Sequence, residues 1–546
     1  MRFVAHDAMS TSHLDATTTS TEHDRKWWTL GVVCMAVFML LLDVTVVNNA
    51  LPSIQKDLGS SFSDLQWVVD AYALVLAAFL LSFGSLADLV GRRRVFVVGL
   101  GVFSAASLLC GLSTDPLMLN LARAIQGAGA AGMFACSAAL IAGAFPPQER
   151  GTAFGIFGGT IGGAVAIGPL VGGAITEGIG WEWVFFVNVP IGIAAILIAL
   201  MRVAESRDPR SGHIDVTGFA TFSASLCLLV FALVRGNAEG WGSPLIVSFL
   251  IGAGALLAAF VAVERRSPDP MFDLTLFRKP SFTGAAIVGF ALSASMFSMF
   301  LYLSLYLQNV LGFSPLEAGL RFLPLTLLSF FVAPIAGRLS GRVIPIRVLL
   351  GFGMLLVSVG LVLQGGPGAD SGWTHFLPGF VLAGIGIGMI NPPLATTQVG
   401  VVPPQRSGMA SGIGGTFRQV GIATGIAALG AIFQHAVAAK TIAALPAAPH
   451  GGGDLGATLS SGNVGSALRA VPPAQRQRFV EAFHTGFAGA LNEILVIAAI
   501  VAFLGAVAGF ALVRREDFVA AGDQVAEPED RSELPADAAL PKAQPV

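Results

Sequence analysis

WWTLGVVCMAVFMLLLDVTVVNNALP, residues 27–52, decides what kind of protein this is. About 20 apolar residues rising 1.5 Å each cross a ~30 Å hydrocarbon core, so the stretch is long enough to span a bilayer. Asp43 lies well inside it. A carboxylate there costs roughly 2.5–3.5 kcal/mol on insertion scales, and normally faces a cavity or a partner instead of lipid. The alternative is a side chain that snorkels to the outer surface near Leu51. Aspartate is short, however, and Val46, Val47 and Ala50 continue its helical face. We therefore take Asp43 to bind protons or cations in a transport pathway.

Composition agrees with a membrane protein. Of 546 residues, 54% are hydrophobic and only 12% charged, and the mean hydropathy is +0.75. A soluble domain is near a quarter charged. The chain reads as an all-α, polytopic membrane protein with no room for a large soluble domain. The net charge of −2 says nothing about nucleic acid, but no basic patch suits one, so nucleic acid is not expected as a partner. Cys34, Cys110, Cys136 and Cys227 fall inside apolar spans without metal spacing, and the histidines lie in tails and loops, so no metal or other cofactor is expected. No phosphate-binding loop of the GxxxxGK[ST] kind occurs, so ATP is not expected as the energy source.

Apolar runs of spanning length fall near 27–51, 65–87, 95–112, 117–143, 151–175, 183–201, 215–234, 244–263, 281–307, 316–336, 346–364, 374–398, 408–434 and 486–513. Fourteen spans put both termini on one side. With that side inside, only Lys56, Arg235, Lys440, Arg469, Arg476 and Arg478 of 31 basic residues lie outside, and Arg123, Arg321 and Arg418 lie within spans. The positive-inside rule then makes both termini cytoplasmic in the cell membrane. Trp27 and Trp28 mark an inner interface, and Trp67, Trp181, Trp183, Trp241 and Trp373 outer ones. Residues 1–26 and 514–546 read as disordered cytoplasmic tails by composition. The stretch 435–485 reads as an external loop, whose amphipathic RFVEAFHTGF segment rests on the surface.

Two internal echoes indicate duplication. Pro146-Pro147-Gln148-Glu149-Arg150 precedes a helix with Gly158-Gly159-Thr160; Pro403-Pro404-Gln405-Arg406 precedes one with Gly414-Gly415-Thr416. Gly84, Leu86 and Arg94 are likewise repeated as Gly337, Leu339 and Arg347. The matches equate span 2 with span 10 and span 5 with span 13. One six-helix bundle is then 27–201, a second 281–513, and 202–280 is a linker carrying two inserted spans.

Several motifs, in order, resemble one family. Leu42-Asp43-Val44-Thr45-Val46-Val47-Asn48-Asn49-Ala50-Leu51-Pro52 is similar to the first-helix motif of the 14-helix drug:proton antiporters of the major facilitator superfamily. Gly84-Ser85-Leu86-Ala87-Asp88-Leu89-Val90-Gly91-Arg92-Arg93-Arg94 resembles the superfamily's loop 2–3 motif, and Arg123-Ala124-Ile125-Gln126-Gly127 its helix-4 motif. The run from Gly163 through Gly168-Pro169 to Gly172-Gly173 resembles the helix-5 antiporter motif, and Trp181-Glu182-Trp183 with Phe186, Asn188 and Pro190 also fits. The resemblance covers about 27–513. It implies a major facilitator fold of two six-helix bundles plus two inserted helices, and proton-driven export of drugs or other small amphiphiles.

Residue chemistry adds roles. Asp88 ends span 2, where it can pair with Arg92 or meet a helix N-terminus from the other half. Gly84 and Gly91 allow close approach and a tight turn, and the family reading is a latch. At about 1.5 Å per residue, Asp43, Asp70 and Arg123 lie roughly 12, 7 and 9 Å from the outer surface. Arg123 is expected to keep a carboxylate charged until a proton or substrate competes for it; a static ion pair is the alternative, and either Asp43 or Asp70 can carry the proton. Asn120, Arg123 and Gln126 form a polar stripe. Arg418 and Gln419 sit near mid-membrane in span 13, which has no acid, so a neutral or anionic cargo suits it better than a divalent cation; pairing of Arg418 with Glu493 is the alternative. Tyr302, on one face with Tyr306 and Met299, is either belt, core or an aromatic wall for cargo. Asn120, Gln126, Tyr302, Arg418 and Gln419 are thus the candidates for the substrate cavity. The rival readings are an uptake symporter or uniporter on the same scaffold and a non-transporting membrane receptor.

Overall fold

The computed structural model describes residues 5–60, 62–207, 215–267, 272–341, 343–367, 371–443 and 476–518. Helices occupy most of them: α1 (Ala5–Leu58), α2 (Phe62–Val90), α3 (Arg92–Gly111), α4 (Pro116–Ala144) and α5 (Pro147–Gly178). There follow α6 (Trp183–Arg202, stepped at Val187), α7 (Val216–Glu239), α8 (Pro244–Glu264) and α9 (Pro280–Asn309). Then come α10 (Pro315–Arg321 continued as Leu323–Leu339), α11 (Ile346–Gln364), α12 (Leu377–Gly400), α13 (Ser407–Ala443) and α14 (Arg476–Leu512). Twelve helices among the described residues are long and apolar enough to cross a membrane. The other two long helical runs are α5 and α10. This is a multi-pass membrane protein.

Helix starts follow from local chemistry. Asp115 accepts the Met118 N–H at 2.9 Å ahead of Pro116, and Ser243 accepts the Ile246 N–H ahead of Pro244. Ser314 and Glu317 form a reciprocal capping box around Pro315. Each cap satisfies an N–H that the helix itself leaves free, and proline fits a position whose N–H would have no partner.

Apolar packing is divided. Two clusters draw on α1 to α6, with Val399 of α12 joining one of them, and a third runs through α9 to α14. A fourth joins Phe222 of α7 and Phe260 of α8 to Leu81 of α2 and Ile413 of α13. α7 and α8 therefore pack where the two groups meet. Among the pairings that cross between the groups, the most extensive are α2 with α13 and α5 with α10. These are the helices that the internal echoes equate, so the repeat in sequence reappears as a repeated interface.

The structure corrects three sequence expectations. Residues 5–26 are not a disordered tail but continue α1. The stretch from Ala5 to Leu30 has neither glycine nor proline, and lengthening an existing helix avoids the nucleation cost. The loop 435–485 is shorter, because α13 runs to Ala443 and α14 begins at Arg476; residues 444–475 lie outside the described set. RFVEAFHTGF is the first part of α14 and not a surface segment: Phe479, Phe483 and Phe487 are buried, with Phe487 edge-on to Phe433 at 4.8 Å. Phe483→Ala is accordingly expected to cost about 3–5 kcal/mol, read as lower thermal stability in detergent; a loss under about 0.5 kcal/mol would return the segment to the surface. At the other end, the first residues of the segment 514–546 are docked: Asp517 accepts the Ser281 N–H at 2.9 Å and Ser281 donates to the Arg514 carbonyl at 3.0 Å. Residues 519–546 lie outside the described set.

Candidate functional site

Five helices deliver one buried polar network. Asp43 of α1 is 2% exposed and Arg123 of α4 is 1% exposed. The Arg123 guanidinium donates to Asp43 Oδ2 at 2.5 Å, to Gln126 Oε1 at 2.8 Å and to the Val68 carbonyl at 2.9 Å. The second carboxylate oxygen, Oδ1, accepts from Gln126 Nε2 at 2.9 Å and from Asn188 Nδ2 at 3.1 Å. Ser107 of α3 closes the set, accepting from Asn188 at 3.1 Å and donating to the Phe185 carbonyl at 2.9 Å. Tyr72 of α2 lies under the guanidinium, 4.3 Å from its carbon.

Local structure explains the convergence. Arg123 and Gln126 are three apart and share a face of α4. The step at Val187 places Asn188 at the head of the longer part of α6, with Pro190 in the first turn, where it removes no helix hydrogen bond. Three donors occupy Asp43, one on Oδ2 and two on Oδ1, of the roughly four acceptor sites of a carboxylate. A proton arriving at the carboxyl turns one oxygen into a donor and weakens its hold on these partners.

The other expected members fall differently. Asp70 is not part of the network. Val68 and Tyr72 lie one turn apart toward α4, whereas Asp70 is two residues from each and cannot share their face. The basic residue whose charge acts on it is Arg235 of α7. Gln126, proposed for cargo, is fully engaged with Asp43, Arg123 and Ser107. Of the three readings of Tyr302, the structure shows the core one: it is 4% exposed, packs on Phe433 and donates to the Ile426 carbonyl at 2.7 Å. Asn120 is half-buried, with its carbonyl oxygen unpartnered. Arg418 does not pair with Glu493, which binds Lys440 at 2.7 Å. Arg418 and Gln419 are half-buried, without hydrogen bonds among the described residues. Ser107 was missed and Asn188 was read only as part of a motif, since uncharged polar groups in apolar spans carry too small a burial cost to stand out.

A second constellation closes one end of α2 against α13. Asp88 accepts the Gly408 N–H at 3.0 Å and the Met409 N–H at 2.7 Å, two of the donors that a helix start leaves free. Arg92 binds Asp88 at 2.7 Å and donates to the Gln405 carbonyl at 2.7 Å, bridging both sides. A side chain on Gly84 would stand 2.6 Å from the Gly408 carbonyl oxygen, so only glycine permits this approach. Gly91 turns the chain at φ +122°. The matching contact in the α5–α10 pair is Gly337 against Gly151, and Gly341 stands where an Asp88 equivalent would be. Along α5, Gly163 faces Phe330, Gly168 packs directly on Thr45 of α1, and the helix continues past Pro169, Gly172 and Gly173 to Gly178. The glycine run thus touches α1 two residues beyond Asp43. Among the described residues no group of three metal-ligating side chains is present.

Residues 33–426 match the model of the Major Facilitator Superfamily. The chain belongs to that superfamily. It is 38% identical to the puromycin resistance protein pur8 of Streptomyces alboniger over 76% of this chain and 83% of that protein. It is 36% identical to a probable actinorhodin transporter of Streptomyces coelicolor over 75% and 72% of the two chains. Among solved structures it resembles the human organic anion transporter MFSD10, with a TM-score of 0.57 over 87% of this chain and 99% of that one. At 14% identity that likeness speaks to the fold alone. This superfamily chain is a membrane transporter with drug-resistance relatives, and it is not an enzyme.

Proposed function

We propose that this chain exports small amphiphilic organic compounds across the cell membrane in exchange for protons. Fourteen spans form two six-helix bundles, α1–α6 and α9–α14, with α7 and α8 at their junction and both termini cytoplasmic. The bundles rock about the α2–α13 and α5–α10 interfaces, and the Asp88–Arg92 latch holds the cytoplasmic end shut. The divided apolar packing supports this architecture.

The observation that carries proton coupling is the Asp43–Arg123 pair in its closed network. Asp43 is the proton carrier, and Asp70 stands outside its network. Each charge that moves down a 100 mV potential releases roughly 2.3 kcal/mol to drive cargo outward. The drug-resistance and export proteins among the relatives support outward transport. The test uses everted membrane vesicles acidified inside. A fluorescent drug is expected to accumulate in the lumen and to leave when the pH gradient is collapsed. Dye moving in the same direction as the protons indicates a symporter, and no gradient-dependent movement indicates a receptor.

A further inference from the structure

The two halves treat the arginine inside their helices differently. Arg123 has a carboxylate against it; half-buried Arg418, on α13, has none among the described residues. No Asp or Glu occurs anywhere in α9, α11, α12 or α13. The acids of the remaining two helices are engaged or distant: Glu317 closes the capping box at the start of α10, Glu493 binds Lys440, and Glu481 is exposed. Among the described residues Arg418 makes no ion pair or hydrogen bond, and its recorded partner is the face of Phe297, 5.9 Å from the guanidinium carbon.

Its surroundings offer a second free donor. A side chain placed on Gly289 of α9 would meet Arg418 Cγ at 3.5 Å, Leu394 Cδ2 at 3.7 Å and Gln398 Nε2 at 3.9 Å, so these groups share one space. Gln398 Nε2 is buried and has no acceptor. Seven residues before it on α12, Asn391 is 7% exposed with its carbonyl oxygen unpartnered, facing Gly158 of α5 across the division between the halves. α9, α12 and α13 thus bring together, around the stem of an arginine that has no counter-charge among the described residues, an amide donor without an acceptor and an aromatic face 5.9 Å from the guanidinium carbon. A lone cation at membrane depth is expensive unless something neutralises it.

We infer that this place binds the acidic group of the cargo, and that the exported compounds are organic anions with an apolar or aromatic body. The carboxylate, enolate or phenolate takes the position of the missing counter-ion on Arg418 and accepts from Gln398, with its ring against Phe297. This names the cargo class for the export reading and rests on that reading. The test nevertheless measures binding without a gradient, so it holds or fails apart from proton coupling.

The probes are fluorescein, an anion, and rhodamine 6G, a cation on the same xanthene skeleton. Each is titrated against the purified full chain in detergent by fluorescence anisotropy. Fluorescein is expected to bind the more tightly. Arg418→Gln is expected to weaken fluorescein roughly tenfold or more while leaving rhodamine unchanged or tighter, with Arg418→Lys intermediate. Gln398→Leu serves as the second variant, weakening fluorescein with the charge intact; thermal stability checks folding of all three. Equal or tighter binding of rhodamine by the wild type overturns the inference, as does fluorescein binding unmoved in Arg418→Gln. Absence of binding by either dye, or displacement of fluorescein by equimolar inorganic phosphate, overturns it as well.

Discussion

Asp43→Asn is expected to abolish proton-driven efflux, a loss of about two orders of magnitude or more in everted vesicles, while exchange of labelled for unlabelled drug without a gradient persists. The asparagine keeps a carbonyl oxygen for Gln126 and Asn188, so the helices still converge. It cannot take up and release a proton, and it leaves Arg123 buried without a counter-charge. Breaking a buried pair by removing one partner costs about 3–5 kcal/mol, so lower thermal stability accompanies the loss of coupling. The two readouts separate roles: a purely structural ion pair would lose stability and exchange together. Coupled efflux equal to wild type would move the proton to Asp70, for which Asp70→Asn is the matching variant.

Asp88→Asn is expected to loosen the shut end. The carboxylate accepts two N–H groups at the start of α13 and holds Arg92, and the neutral amide forfeits the charge in all three contacts. A charge at a helix N-terminus contributes about 0.3–2 kcal/mol, and hydrogen bonds to charged groups about 1.5–3 kcal/mol. Population of the open form should rise roughly 5- to 100-fold. Ser411, 8% exposed on α13 one turn past Gly408, is a suitable reporter. In a background with Cys34, Cys110, Cys136 and Cys227 replaced by serine, maleimide labelling of Ser411→Cys should accelerate by that factor when Asp88→Asn is added. An unchanged rate would reduce the Asp88 contacts to a fixed joint.

Much of this was legible because ionisable groups in apolar spans are few and must be compensated. That argument singled out Asp43 and Arg123 from depth alone, and placed Asp88 against Arg92 or a helix start; it makes both contacts. Depth says nothing of direction around a helix axis, which is why Asp70 could not be told from Asp43: the face set by Val68 and Tyr72 excludes it. Gln126 was read as a cargo contact because a polar stripe looks the same whether it faces a cavity or another buried group. The start of α14 was misplaced for a related reason, since an amphipathic pattern does not reveal whether its apolar face rests on lipid or on Phe433. Ser107 gave no signal at all.

α13 is unbroken from Gly408 beside Asp88 to Arg418, about 15 Å of continuous rod. If cargo settles on the guanidinium as inferred above, it leans on a lever whose far tip is held by Asp88 and Arg92. Fluorescein should change the labelling of Ser411→Cys, and rhodamine should leave it alone, so the transporter would sense the sign of its passenger before it turns.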